Sequence, residues 1–419
     1  MKEGYKKYEF GYIPNDWKIK KIGDIYDDLK AGATPSRTNP SYFTGDIPWI
    51  TSGELKSKYI YDTYEKITEE AVKNTNLKIY QKGTFFIAIT GLEAAGTRGS
   101  CGINGIDSAT NQSCLAFQEK EEINTEFLYY WYSLYGDYIG KKYTQGTKQQ
   151  SLNNKIVEEL CIGFPSKEEQ EKIADILSTV DCQIDDTEMF IEKCQELKKG
   201  LMQRLLTKGI GHTEFKKTEV GEIPVDWEVK KLKDISLKIG DGLHGTPEYK
   251  EEGEFYFING NNISNRRIKI FENTKKVEEC EYLKYKKNLD SNSILISLNG
   301  TIGNLGFYNN EKIMLGKSVG YINLNEDTNK VFIYYQLEGN RIQSYFIKEL
   351  TGTTIKNLSL KTLRETKIFI PSKDEQEKIA ETLIAVDKKI EEYENKKQNL
   401  EELKKGLMQQ LLTGNIRVR

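Results

Sequence analysis

Histidine is nearly missing from this 419-residue chain, which holds only His212 and His244. Two imidazoles leave little room for a histidine metal centre or for histidine acid–base chemistry. The six cysteines (Cys101, Cys114, Cys161, Cys182, Cys194, Cys280) include no CxxC pair. That argues against structural zinc and a disulfide framework, and it points to a reducing, cytoplasmic setting. No window approaches the roughly 18 uninterrupted apolar residues of a membrane span, so no membrane partner is expected. The opening MKEGYKKYEFGYIP lacks the apolar run of a signal peptide. Excess charge is missing too: 61 basic against 63 acidic residues, net −2. Global charge therefore neither announces nor excludes a nucleic-acid partner.

Catalytic signatures are also lacking. There is no Walker A loop, no NPPY or DPPY tetrapeptide, no FxGxG cofactor loop, and no carboxylate cluster with a lysine at nuclease spacing. Gly240 to Gly245 (GDGLHG) fits GxGxxG, but Pro247 follows where a dinucleotide fingerprint needs a running helix. We read it as a glycine turn. No catalytic residue and no metal ligand is nominated.

What is present is a chain written twice. YEFGYIPNDWKIKKIGDI (8–25) returns as TEVGEIPVDWEVKKLKDI (218–235), and Gly11, Pro14, Asp16 and Trp17 recur as Gly221, Pro224, Asp226 and Trp227. PSKEEQEKIADIL…ELKKGLMQRLLT (165–207) returns as PSKDEQEKIAETL…ELKKGLMQQLLT (371–413), with 25 of 43 positions identical. That identity excludes chance. The segments between barely resemble one another, apart from thin anchors such as Thr34-Pro35 against Thr246-Pro247 and Gly146-Thr147 against Gly352-Thr353. The Ile-Pro-x-Asp-Trp start is expected to seat the chain beside the helix ends. Because the N-terminus reads as the continuation of the C-terminal stop, the protein resembles a circle cut at one point, and its termini should lie together.

The common segments read as long helices, opened by Pro-Ser and an acidic first turn and stopped at Gly209 or Gly414. Apolar residues run Ile173, Leu177, Val180, Ile184, Ile191, Leu201, Leu205 in the first, and Ile379, Leu383, Val386, Ile390, Leu400, Leu407, Leu411 in the second. These are the 4-3 steps of a coiled-coil seam, interrupted at Lys198 and Lys404. About 40 residues would span about 60 Å. So narrow a stripe is not stable alone. Its partner is the other copy, its own domain, or another protein; the matching spacing favours an antiparallel pair of the two copies. The helices carry 15 basic and 20 acidic residues, and basic charge concentrates in 264–288. That stretch is either a phosphate-contact surface or a solvated loop.

The variable modules combine short β-branched runs (83–90, 292–298, 367–372) with aromatic helical segments at 127–143 and 331–350. Tyrosines of those segments are read as core. The expected architecture is α+β: a recognition domain over 1–165, a helix over 166–208, a second recognition domain over 209–371, a helix over 372–414, and a tail over 415–419. The two copies would be related by a pseudo-twofold axis.

The duplicated E-Q-x-K-I-A segment with its long helix, and the duplicated G-x-I-P-x-D-W starts, resemble the specificity subunit of type I restriction-modification enzymes over essentially the whole chain. The resemblance implies a non-catalytic DNA-reading subunit. In that family each recognition domain reads one half of a bipartite, asymmetric site in double-stranded DNA, and the paired helices set the gap. It also implies two modification (methyltransferase) subunits bringing S-adenosylmethionine and motor-nuclease subunits bringing ATP hydrolysis and Mg²⁺, with no cofactor on this chain. An orphan specificity or scaffold protein, guiding methylation or inhibiting without a nuclease, is the alternative. Base edges are read by Arg, Lys, Asn and Gln. Candidates are Arg37, Lys58, Arg98, Asn111, Gln112, Lys148 and Gln149 in the first domain, and Asn261, Asn262, Arg266, Arg267, Asn299 and Lys317 in the second.

Overall fold

Each long helix begins where the sequence supplies a cap. Ser166 and Ser372 accept from the backbone N–H of Glu169 and Glu375 through their hydroxyls, and acidic residues fill both first turns. In this computed structural model, which describes residues 3–94, 96–144, 150–352 and 356–418, the helices run Lys167–Lys208 and Lys373–Leu411. Gly209 and Gly414 follow with φ of +64° and +66°, the left-handed conformation that ends a helix and that glycine adopts without Cβ strain.

The chain divides into two units, one of residues 1–188 and 395–419, the other of 189–394. In the first, a sheet runs in the order Lys30–Ala31, Cys114–Phe117, Phe85–Ala88, Cys101–Asn104, Tyr59–Ile60, antiparallel until its last, parallel pair. A smaller sheet sets Ile47–Ile50 parallel to Ala109–Thr110 and antiparallel to Lys66–Ile67. Helix Thr125–Tyr143 is capped by Asn124. The fully apolar strand Phe85–Ala88 packs with Phe117, Phe127 and Trp131 into a core that also takes in Ile173, Leu177, Leu411 and Leu412.

The second unit repeats the order of the first four strands. Ser236–Asp241, Val319–Leu324, Ser293–Ser297 and Leu305–Phe307 form the antiparallel sheet. Phe255–Ile258 lies parallel to Ile313–Leu315 and antiparallel to Lys276–Val277. Its core takes in Leu206, Ile379 and Leu383. The start motifs pair alike: Lys18–Lys21 with Cys161–Phe164, and Glu228–Lys231 with Lys367–Ile370. Trp17 and Trp227 are buried, each against the glycine that ends a long helix. The Tyr5 hydroxyl donates to the Gly414 carbonyl at 3.0 Å, which brings the two chain ends together.

Two expectations need correction. Residues 331–350 are not one helix: Gly339 adopts an extended ψ of 145° and separates Lys330–Glu338 from Asn340–Lys348. Glycine in a helix interior costs about 1 kcal/mol, and the break occurs there. The seam residues, moreover, are not a stripe set apart from the domains. Ile173, Leu177, Ile379 and Leu383 also belong to the recognition-domain cores. Val180 is buried, while Ile184, Ile191, Leu201, Leu205, Val386, Ile390, Leu400 and Leu407 are half-buried. Among the described residues, no helix is long and apolar enough to cross a membrane.

Candidate nucleic-acid interface

In the first domain three loops meet at one edge of the sheets. Gly32 and Ala33 donate their N–H groups to the carbonyls of Asn111 and Thr110, and Asn111 donates to Ile50. This fixes the loop that carries Arg37 beside the one that carries Asn111 and Gln112. Arg37 donates to Glu65 at 2.7 Å and stacks 4.2 Å above the Phe43 ring, and its guanidinium lowers the Glu65 carboxyl below its ordinary value. Gln112 is exposed and takes the Thr34 hydroxyl. The Asn111 side chain holds the turn by accepting from Ser113 at 2.9 Å.

The second domain builds the same edge from different residues. Gly316 donates to Ile258 as Asn111 does to Ile50, and Leu243 to Leu315 as Ala33 does to Thr110. Gly242, from the glycine motif, passes so close to Leu315 that a Cβ would lie 2.2 Å from its carbonyl oxygen. The motif is a close backbone crossing, as a turn requires. A polar knot ties the loops: Gly260 donates to the Ser318 hydroxyl at 2.9 Å, Thr301 donates to the Gly260 carbonyl at 2.9 Å, and Ser297 donates to the Asn299 carbonyl at 3.0 Å. Exposed Asn261 and Lys317 and half-buried Asn299 surround it.

The other candidates lie elsewhere. Lys58 is turned inward, donating to Glu126 at 2.7 Å, Ser178 at 2.9 Å and Tyr130 at 3.1 Å. Asn262 is buried and spans its own loop, accepting from Asn259 and donating to Lys269. Arg266 and Arg267 face the second long helix, paired with Asp387 (3.5 Å) and Glu391. Both Asn265 and Arg266 have positive φ, 50° and 65°, in the tight turn between Ile263–Ser264 and Arg267–Ile268. Arg266 and Arg267 are thus paired within their own unit, as Arg37 is with Glu65. Arg98 packs along helix Thr125–Tyr143, 3.3 Å from Gln150. Lys148, Gln149, Gly146, Thr147 and Thr353 lie outside the described residues.

Sequence reading passed over a second constellation. Tyr130 donates to Asp181 at 2.6 Å, and Asp181 accepts from Lys404 at 2.6 Å. In the other unit Tyr335 donates to Asp387, which is 3.0 Å from Lys198. Burial, reinforced by the neighbouring carboxylate, pushes both phenols up and keeps them protonated donors. The available signal was the lysine that interrupts both apolar seams at the same register. Among the described residues, no group of three or more His, Cys, Asp or Glu is placed to hold a metal. The buried Cys101 and Cys114 thiols are pushed up to about 12 by desolvation.

Two sheet-and-helix domains of related topology, each followed by a copy of one long helix, make an internally duplicated protein. Residues 14–195 and 224–402 both match the family described as type I restriction modification DNA specificity domain. The chain belongs to that family and carries two tandem specificity domains. It is 32% identical over 430 residues to the type I restriction enzyme MjaVIII specificity subunit of Methanocaldococcus jannaschii, covering 100% of this chain and 97% of that one. It is 22% identical over 302 residues to the EcoBI specificity subunit of Escherichia coli, covering 67% and 63%. The fold is like that of the S subunit of a type I restriction-modification system from M. genitalium, with TM-score 0.59, 19% identity and coverage of 94% and 96%.

Proposed function

We propose that this chain is the DNA-reading, non-catalytic subunit of a type I restriction-modification complex, and that each recognition domain reads one half of a bipartite, asymmetric site. The observation that carries this is one loop edge built twice on one topology with different side chains. Arg37, Asn111 and Gln112 occupy it in the first domain, and Asn261, Asn299 and Lys317 in the second. Two unlike readers select two unlike half-sites, so the target is not a palindrome. Lys148 and Gln149, next in sequence to Gln150, remain nominated for the first half-site.

The long helices are proposed to pair as an antiparallel coiled coil about a pseudo-twofold axis and so to set the spacer. In support, residue numbers rise on one helix as they fall on the other: Asp181 meets Lys404 and Glu188 meets Lys397 in one unit. In the other, Phe190 stacks on Tyr393 and Lys198 meets Asp387. Two modification subunits would dock on the helical regions and bring S-adenosylmethionine, and motor-nuclease subunits would bring ATP and Mg²⁺. Co-expression with a cognate modification subunit and genome-wide mapping of methylated adenine tests this. A two-part asymmetric motif with a fixed gap is expected; a contiguous or palindromic motif, or none, overturns it.

A further inference from the structure

The lysines that break the two apolar seams have no place in a ruler made only of packed leucines. A charged group at a seam position costs stability and is retained where it fixes a register. Lys404 and Lys198 do more than fix a register, because the carboxylate each one reaches also holds a phenol from a recognition domain. In the first unit the two oxygens of Asp181 are divided. Oδ1 takes the Lys404 ammonium of the second long helix, and Oδ2 takes the Tyr130 hydroxyl of the recognition domain. In the second unit the helices exchange roles: Asp387 stands on the second helix, Lys198 comes from the first, and Tyr335 is the recognition-domain donor.

A fourth leg completes each node. Lys58 reaches Tyr130 and the first helix through Ser178, and Arg266 reaches Asp387. Both basic residues follow the same short helical turn, Ser52–Glu54 in one domain and Gly260–Asn262 in the other. The domains have diverged at their loop edges, yet each keeps this tie. The acids and lysines are largely shielded, with side-chain exposure of 9% for Asp387, 17% for Asp181, 20% for Lys198 and 26% for Lys404. Held away from water, such bonds are directional and strong. Beside the apolar core that helix and domain share, a carboxylate divided between them adds a directional constraint on the angle.

We infer that Lys404 with Asp181 and Tyr130, and Lys198 with Asp387 and Tyr335, are positioning residues that lock each recognition domain at one angle on the long helices and thereby restrict the bipartite site to one spacer length. This rests on the two-reader function proposed above. A domain free to swing on its helices would accept gaps one base pair longer or shorter.

The test uses the full chain with its modification partners and a set of duplexes differing only in spacer length. Lys404→Met and Lys198→Met are expected to raise methylation of the off-by-one duplexes at least about tenfold relative to the optimum, leaving both half-site sequences unchanged. Lys404→Arg and Lys198→Arg, which keep the ion pair, should hold the narrow profile. A profile as narrow in the Met variants as in the unchanged chain overturns the inference. If the Met variants do not fold, Tyr130→Phe, which removes one hydroxyl, carries the same comparison. A second measurement is independent of DNA. Spin labels on exposed Cys182 of the first helix and on Tyr64→Cys of the recognition domain (Tyr64 is 91% exposed), in a chain with Cys161→Ser, Cys194→Ser and Cys280→Ser, should give one narrow distance distribution. Lys404→Met should broaden it, and an unbroadened distribution also overturns the inference. Failure of the unchanged chain to direct methylation to any two-part site would instead defeat the proposed function, and the label distances would still judge the node.

Discussion

Glu375, in the first turn of the second long helix, shows how one residue serves a repeated position in two ways. Its carboxylate takes the Trp227 indole N–H at 3.0 Å, the Ile210 amide at 2.9 Å and His212 at 2.9 Å. It thereby binds the end of one helix to the start of the other. The equivalent Glu169 is instead held by Arg417, at 2.7 and 2.8 Å, and among the described residues the buried Trp17 indole N–H has no hydrogen-bond partner. Glu375→Ala leaves the Trp227 indole and the Ile210 amide N–H without their acceptor, so urea unfolding should show a loss of about 2 kcal/mol. Glutamate at both positions is visible in the repeated E-Q-x-K-I-A. Its use is not, because the donors come from residues 148 to 248 positions away.

Within the long helices, glycine means opposite things at different places. Gly200 and Gly406 are exposed inside the helix, and a Cβ at either would meet nothing within 4 Å. Gly200→Ala should therefore raise stability by about 0.5–1 kcal/mol in thermal or urea unfolding. Gly414 has φ +66°, and a Cβ there would lie 2.5 Å from the Pro14 ring. Gly414→Ala should lower the unfolding midpoint and loosen the contact between the chain ends. Helix length carries its own expectation. Four residues inserted after Glu188, together with four after Glu394, add about 6 Å of helix and should lengthen the preferred gap by about two base pairs at roughly 3.4 Å each. Methylation of the spacer series reads this out. An insertion after Val180 would mix effects, since it displaces Asp181 from Tyr130. Helix starts and stops were legible as Pro-Ser and Gly. The break at Gly339 and the docking of Ile173 and Leu177 into a domain core were not, because periodicity reports an apolar stripe without naming what covers it.

For the whole molecule, the two-reader arrangement makes recognition modular. Exchanging residues 26–160 for those of another member of the family should change one half of the methylated site and leave the other, as methylome mapping would show. A change in both halves would mean that the domains read jointly. The duplication, the mixed α/β class, the long helices and the family were determined by the sequence alone, since each rests on local pattern or on identity between two copies. The tertiary structure alone decided which basic residues remain at the loop edges. Lys58 and Arg266 are as basic in sequence as Lys317, but Lys58 is turned inward onto Glu126 and Arg266 onto Asp387 of the second long helix, whereas Arg37, though paired with Glu65, keeps its place at the loop edge. The same strand order in both domains emerged only there as well. Strand pairing depends on backbone hydrogen bonds and on the burial of apolar faces, which unrelated side chains satisfy equally well.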